Sequence, residues 1–186
     1  MKNDKKEVNA IVLDVLQMGH PGDPRPIFKR EPIVQAVGIA QFKLLELVPK
    51  TLNFEIHEKV YIGDGEREKI ERVKRRIGYD ELTPTARLEL PYAVDNVVHQ
   101  KEGEYVQFFN KSISISPKLH MLHLLPGIGK KLMWEILEER EKKSFESFAE
   151  ISQRIKSIPH PDKMVVNRIM EELQDPNVKY HLFTSK

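Results

Sequence analysis

The sequence predicts an α+β protein, with an N-terminal β-barrel or half-barrel in residues 1–115 and an all-α domain in residues 116–186. Two patterns predict this division. The first third carries apolar, β-branched runs separated by glycine and proline, whereas from Ser116 onward apolar residues recur at helical spacing. With 186 residues, 40% of them hydrophobic, the chain can form one large or two small packed domains.

Strands are predicted at three places in the N-terminal part. Residues 8–16 form a β-branched run, and residues 33–48 form a long apolar stretch that we expect to be one strand bent at Gly38. Residues 54–62 alternate between apolar and polar side chains, which predicts a third strand. Residues 19–32 are rich in proline and are predicted to be an exposed connector. Three strands without intervening helices favour a small barrel over a β-α-β unit.

A helix is predicted over residues 66–77, because the apolar residues there have helical spacing. Six basic and two acidic side chains lie within residues 67–76. Such a surface could follow a nucleic-acid backbone, or it could be a solvated face with ion pairs four residues apart. The candidate nucleic-acid contacts of this segment are Arg72, Arg75 and Arg76.

Residues 83–111 are predicted to be mainly helical. Thr83 and Pro84 form a helix cap and a first-turn proline. We expect Pro91 to interrupt or restart this helix, and Gly103 to break or kink the stretch that follows.

Four helices are predicted after residue 115, separated by turns that contain proline or glycine. Two of them begin at a serine cap, and Ser147 also has the spacing of a capping box. The predicted starts are Ser116–Pro117, Lys130, Ser147 and the residues after Pro161.

The turn before the second of these helices carries the strongest chemical signal. Gly127 and Gly129 flank Ile128, and Lys130 and Lys131 follow directly. Glycine permits a positive φ, and the lack of a Cβ lets a phosphate approach backbone N–H groups at the positive end of a helix dipole. We expect Ile128 to be a buried peg and the lysines to stand beside the anion. A tight turn between packed helices is the alternative.

Residues 124–131 resemble the helix-hairpin-helix motif of DNA repair and recombination proteins, with Leu-Pro-Gly-Ile-Gly-Lys at its centre. Residues 147–174 look like the second copy of a tandem unit. This copy has Ile-Pro-His-Pro at residues 158–161 in place of the glycine hairpin. The resemblance therefore implies phosphate binding by the first hairpin and leaves the second open.

Most of the chain is similar to an uncharacterised archaeal family of candidate nucleic-acid-binding proteins. The resemblance implies an OB-like N-terminal part and a tandem helix-hairpin-helix C-terminal domain, and it implies no reaction. The segments that carry it are Glu58–Gly63, Arg75–Tyr79, Gln107–Asn110 and Leu124–Lys131.

Composition excludes several classes of protein. Without cysteine the chain has no disulfide framework and no thiolate zinc site. No apolar run approaches the ~20 residues of a membrane span, and no apolar signal segment follows the charged start, so we expect a cytoplasmic protein. The net charge is only +2, so a nucleic-acid footprint has to be local. The excess of lysine and glutamate is typical of thermophile proteins.

Signals for catalysis are weak. The glycine hairpin lacks the spacing and the Ser/Thr of a Walker loop, and neither a zinc signature nor a nucleophile elbow occurs. We therefore expect no enzyme, no cofactor and no metal. His120 and His123 lack a further ligand motif, which favours packing histidines. Three aromatic residues could stack on bases, although apolar packing is the commoner role: Phe108, Phe109 and Trp134.

These observations predict a non-catalytic nucleic-acid-binding protein. Its hairpin would hold phosphates without reading bases, with structured RNA slightly favoured over DNA. Two alternatives remain open. One is an adaptor that docks a protein partner through the helical domain, and the other is a structure-specific nuclease.

Overall fold

The computed structural model describes residues 5–186, which contain a five-stranded antiparallel sheet, a two-stranded hairpin and five α-helices. The predicted α+β class is confirmed. The described chain divides into two compact units, which we call the sheet unit (residues 5–93 and 172–186) and the helical unit (residues 94–171). None of the helices formed by residues 5–186 is long and apolar enough to cross a membrane.

The sheet curls into an open half-barrel with strand order β4-β1-β2-β3-β5. Its strands are β1 (Asn9–Leu16), β2 (Ile33–Gly38), β3 (Leu44–Pro49), β4 (Lys59–Tyr61) and β5 (Ile70–Arg76). Alternate residues of neighbouring strands share one buried face, which is the usual arrangement for apolar side chains in a half-barrel. This core contains Ala10, Val12, Val34, Ala36, Leu45, Leu47, Val60, Ile62 and Ile70.

The prediction of one long strand over residues 33–48 is wrong, because the chain reverses between β2 and β3. The Glu7 carboxylate stabilises the reversal by accepting the backbone N–H groups of Ala40 and Gln41, each at 2.7 Å. Glycine is required at position 38, since a Cβ there would lie 2.2 Å from Cδ of Glu7. The turn therefore depends on a residue more than thirty positions earlier, which no local pattern could reveal.

The prediction of a helix over residues 66–77 is also wrong, because this segment contains β5. In the pairing of β5 with β3, Glu71 and Lys74 have no partner, so each adds one residue to the strand as a bulge. The bulges replace strict alternation with a three-residue spacing between Ile70 and Val73, which is also the spacing of a helix. Pairing with β3, a tertiary contact, decides between the two.

The remaining N-terminal predictions hold in part. The first strand is confirmed, and residues 19–32 are a connector without strands that carries one short 3-10 helix, Ile27–Lys29. The third strand is much shorter than residues 54–62. His57 takes a φ of +68° just before β4, and its N–H donates to the Val12 carbonyl at 2.8 Å, so the chain before β4 is bent.

Two helices follow the sheet, α1 (Pro84–Gln100) and α2 (Glu102–Lys111). The Thr83 cap is confirmed, since its Oγ1 accepts the Ala86 N–H at 3.0 Å. Pro91 lies inside α1 and does not end it. The break falls at Lys101, the residue before α2, and Gly103 lies in the first turn of α2.

The helical unit contains one further correction. Ser116 belongs to β6 (Ser114–Ser116), which pairs with β7 (Leu119–His120), so the predicted helix does not begin there. Proline has a φ that suits both the first turn of a helix and the second position of a β-turn, and Pro117 occupies the β-turn. Only a short 3-10 helix, Met121–Leu124, follows.

The last three helices begin close to the predicted positions. They are α3 (Lys130–Lys142), α4 (Phe148–Arg154) and α5 (Pro161–Gln174). The Ser147 cap is confirmed, because its Oγ accepts the Glu150 N–H at 3.1 Å. The two units divide the chain inside α1 and α5, whereas the expected domain boundary lies between residues 115 and 116.

Candidate nucleic-acid interface

The predicted hairpin is a tight turn that leads into α3. The Ile128 N–H donates to the Leu125 carbonyl at 3.2 Å, and both side chains are buried. Gly127 has a φ of +89°, a conformation that favours glycine. Two buried apolar side chains therefore fix the turn to the core of the helical unit, and its glycines are exposed.

Gly129, unlike Gly127, does not have a positive φ. Its φ of −85° and ψ of 179° are extended values that any residue can adopt, and a Cβ built there meets nothing within 4 Å. The expectation that the hairpin glycines serve a positive φ therefore applies to Gly127 alone. The open space above Gly129 leaves the backbone beside it accessible.

The N-terminus of α3 carries an uncompensated positive charge. No side chain caps it, its first turn has no acidic residue, and within residues 5–186 the N–H groups of Gly129–Leu132 have no acceptor. The exposed side chains of Lys130 and Lys131 add two cations, and in the described part of the chain neither forms an ion pair. By contrast, α2, α4 and α5 each carry an acidic residue in the first turn.

Two residues of α5, Arg168 and Glu171, also border the surface of the Gly127–Gly129 hairpin, and no sequence pattern identified them. Arg168 is 7% exposed, and its Nη1 lies 3.3 Å from an Oε2 of Glu171. Their spacing of three residues on one helix is common and would not have identified them.

A second turn resembles the first in its hydrogen bonding. The Ile158 N–H donates to the Ile155 carbonyl at 2.9 Å, and both side chains are fully buried. The turn therefore lies at residues 155–158, slightly before the expected segment 158–161. The helix that follows begins with Pro161, which has no N–H, and with Asp162, whose carboxylate disfavours an anion.

The three candidate arginines lie on β5 in the sheet unit, and each is engaged by other groups of that unit. Arg72 pairs with Glu31 at 2.6 Å, and Arg75 pairs with Glu46 at 2.9 Å. The Arg76 guanidinium donates to the carbonyls of the last two residues, Ser185 and Lys186, each at 2.9 Å.

Arg72 also lines a basic pocket of the sheet unit, about 310 Å³ in volume. Lys6, Lys43 and Arg67 line the same pocket, and Glu7 is the one carboxylate among the described lining residues. That carboxylate is held by backbone N–H groups. No local sequence pattern identifies this cluster, because its members come from three segments far apart in the chain.

One group of side chains in the helical unit has the composition of a metal site. Ligand atoms of Asp95, His99 and Asp162 lie within 4.8 Å of one another. Nζ of Lys163 lies 2.5 Å from Asp95 Oδ1, and His99 Nε2 lies 3.3 Å from Asp162 Oδ2. The Lys163 ammonium already pairs with the Asp95 carboxylate, and His99 lies beside Asp162, so these side chains form an ion-pair network.

The chain is similar throughout its length to other proteins. A family model described as "Protein of unknown function (DUF655)" matches residues 6–185. The uncharacterised protein MJ0038 of Methanocaldococcus jannaschii is 47% identical over 184 residues, which are 98% of this chain and 82% of the relative. The crystal structure of Af1531 from Archaeoglobus fulgidus, also of the DUF655 family model, is 49% identical, with a TM-score of 0.89 over 96% of this chain and 100% of that chain.

Proposed function

The chain belongs to the DUF655 family, and from this premise we propose that it binds nucleic acid through phosphate contacts at the Gly127–Gly129 hairpin, without a catalytic role of its own. In this proposal the helical unit is a tandem helix-hairpin-helix module and the sheet unit an OB-like module. The hairpin contacts would not depend on sequence, because phosphates carry no base information.

The observation that carries the proposal is the charge at the start of α3. A helix is destabilised by cations at its N-terminus, typically by 0.3–1 kcal/mol each. Lys130 and Lys131 occupy this unfavourable position, next to uncapped N–H groups and without an acid to offset them. Residues that destabilise their own helix are typical of a functional site. A phosphate bound at the start of α3 would make the charges of the two lysines favourable.

The second turn supports the tandem character. Residues 125–128 and 155–158 each close with an N–H to C=O bond between two buried apolar residues, and each leads into a long helix. The first turn combines this geometry with free N–H donors and two lysines. The second has a proline and an aspartate at the same place, so in the proposal it serves packing.

The sheet unit supports an OB-like role by its curled antiparallel sheet and the basic pocket around Arg72. Sheets of this kind bind single strands or structured nucleic acid. Within this class of ligands we propose structured RNA rather than DNA.

Gly129→Val tests the proposal. Valine fits the backbone angles at this position and meets no neighbour, so the variant is expected to fold, while its branched side chain covers the N–H groups of α3. Fluorescence anisotropy against one labelled RNA hairpin and one DNA duplex should show weaker binding at every salt concentration.

The matched control is Gly22→Val, because a Cβ at Gly22 also meets nothing within 4 Å and the residue lies in the exposed connector. Circular dichroism has to show equal helix content in all three proteins. If folded Gly129→Val binds both ligands as the parent does, the hairpin is a structural turn. If the parent binds neither ligand at low salt, the adaptor alternative takes its place.

A further inference from the structure

An open groove of about 560 Å³ lies in the helical unit beside the start of α3. One wall is the β6–β7 hairpin with its turn Pro117–Lys118, and the other is the face of α3 that carries Lys130, Met133 and Trp134. Met133 is buried and forms apolar floor, whereas Trp134 is 53% exposed. A tryptophan with half its surface in water on the wall of a groove is a ready stacking surface.

The described residues that line the groove include two lysines and two histidines, and no carboxylate. The lysines are Lys118 and Lys130. A groove with this lining attracts an anionic ligand and disfavours an acidic peptide.

Two histidine rings form part of the groove lining, and each is held by a hydrogen bond from a backbone N–H. His120 Nδ1 accepts the Leu122 N–H at 3.1 Å, and His123 Nδ1 accepts the His120 N–H at 3.2 Å. Because Nδ1 is an acceptor in both rings, Nε2 is the ring atom that can donate to a ligand. Burial lowers the pKa of His120, and the nearby charge of Arg140 lowers it further, so protonation of this ring is disfavoured.

The groove adjoins the Gly127–Gly129 hairpin. His123 lines both the groove and the hairpin surface, and Lys130 lines the groove while forming the first residue of α3. A ligand whose phosphate lies at the uncapped N–H groups of Gly129–Leu132 therefore has the groove within reach of its adjacent nucleoside.

We propose that this groove binds one unpaired nucleobase of the strand whose phosphate the Gly127–Gly129 hairpin holds, with Trp134 stacking on the base. The inference rests on the proposed function and narrows its ligand class. A base inside a continuous duplex is stacked between its neighbours and is not available to Trp134. The preferred ligands are therefore unpaired segments, in single strands or in the loops and overhangs of structured RNA.

Trp134 is the only tryptophan of the chain, so fluorescence excited at wavelengths that the five tyrosines do not absorb reports on the groove alone. The probes are an eight-nucleotide oligothymidylate and an abasic strand of the same length, which carries the same phosphates without bases. At low salt the oligothymidylate should quench the fluorescence, and the abasic strand should bind without quenching it.

Variants separate stacking from phosphate binding. Trp134→Ala should lower the affinity for oligothymidylate about tenfold, that is ~1.4 kcal/mol, and change the affinity for the abasic strand less than twofold. Phe28→Ala removes another exposed aromatic side chain, 83% exposed on the connector of the sheet unit, and should change neither affinity. Anisotropy of labelled strands measures the affinity of the parent and of each variant for both strands.

The outcomes distinguish this inference from the proposed function. If Trp134→Ala binds both strands as the parent does while Gly129→Val weakens both, the hairpin binds nucleic acid and the groove does not bind a base. If the parent binds neither strand at low salt, base binding in the groove is overturned. If it also binds neither the RNA hairpin nor the DNA duplex, the proposed function is overturned with it. Equal losses for both strands in a folded Trp134→Ala protein also overturn base stacking.

Discussion

Arg75 donates from Nε to the carboxylate of Glu46 at a distance of 2.9 Å, and Glu46 is fully buried in the sheet unit. Glu46 also contacts His20, and Arg75 further pairs with Glu81 at 2.5 Å. A buried carboxylate is costly unless cations and donors surround it. Arg75 therefore stabilises the edge of the sheet, although the sequence alone makes it a candidate for nucleic-acid contact.

Arg75→Gln is expected to destabilise the protein by about 2 kcal/mol. Removing one partner of a buried ion pair costs roughly 3–5 kcal/mol, and the loss is smaller here because His20 remains beside Glu46 and Arg75 is itself partly exposed. Urea unfolding followed by circular dichroism measures the change.

Arg72→Gln is the matched control on the same strand. Its partner Glu31 is partly exposed and keeps Lys74, so the loss should stay below about 1 kcal/mol. Equal losses in the two variants would contradict the structural role of Arg75.

Lys130→Ala and Lys131→Ala should each lower the slope of log affinity against log salt by about 0.9 for a DNA duplex, because each lysine that neutralises a phosphate releases one condensed counterion. The loss of affinity should be smaller than for Gly129→Val, which removes access to the backbone donors. Lys142→Ala, at the other end of α3 and paired with Glu139 at 2.5 Å, serves as the control. A slope that is unchanged in both first-turn variants would place these lysines outside the interface.

His160→Ala should leave nucleic-acid affinity within a factor of about three, under ~1 kcal/mol. His160 lies between Pro159 and Pro161, so it supplies the single N–H of these three residues, and Asp162 follows in the first turn of α5. The measurement is anisotropy against the same RNA hairpin and DNA duplex. A tenfold loss would mean that the second turn also holds a phosphate.

The stability of the protein is expected to fall as the pH is lowered from about 7 toward 5, in part through His120. Burial holds the pKa of His120 below its ordinary value of 6.5, so below that pH the unfolded chain takes up a proton that the folded protein does not. The free energy of unfolding then decreases by at most ~1.4 kcal/mol per pH unit for this one proton. His120→Asn keeps an acceptor for the Leu122 N–H and removes the titration, so its urea midpoint should depend less on pH between 7 and 5.5. The same dependence in both proteins would assign the effect to other groups.

Local signals in the sequence were sufficient for several elements. The caps at Thr83 and Ser147, the apolar run of β1, and the glycine turn before α3 each depend on residues within one stretch of at most eight positions. Such signals act through backbone geometry and short-range hydrogen bonds, which are the same in any context. The hairpin residues of the candidate site could be predicted from the sequence for the same reason.

Other features depended on contacts between distant segments. The turn between β2 and β3 needs the Glu7 carboxylate, and the strand character of β5 needs its pairing with β3. The lining of the groove by Trp134 and the β6–β7 hairpin likewise joins segments that the local pattern treats separately.

The sequence by itself determined the α+β class, the number and starts of the helices after Lys130, and the glycine hairpin with its two lysines. Only the tertiary structure decided that residues 70–76 form a strand and that Arg75 neutralises the buried Glu46. The physical reason is that an ambiguous local pattern, such as apolar residues three positions apart, has nearly the same intrinsic energy in a helix and in a bulged strand. The hydrogen bonds and ion pairs made with β3 supply the difference between them.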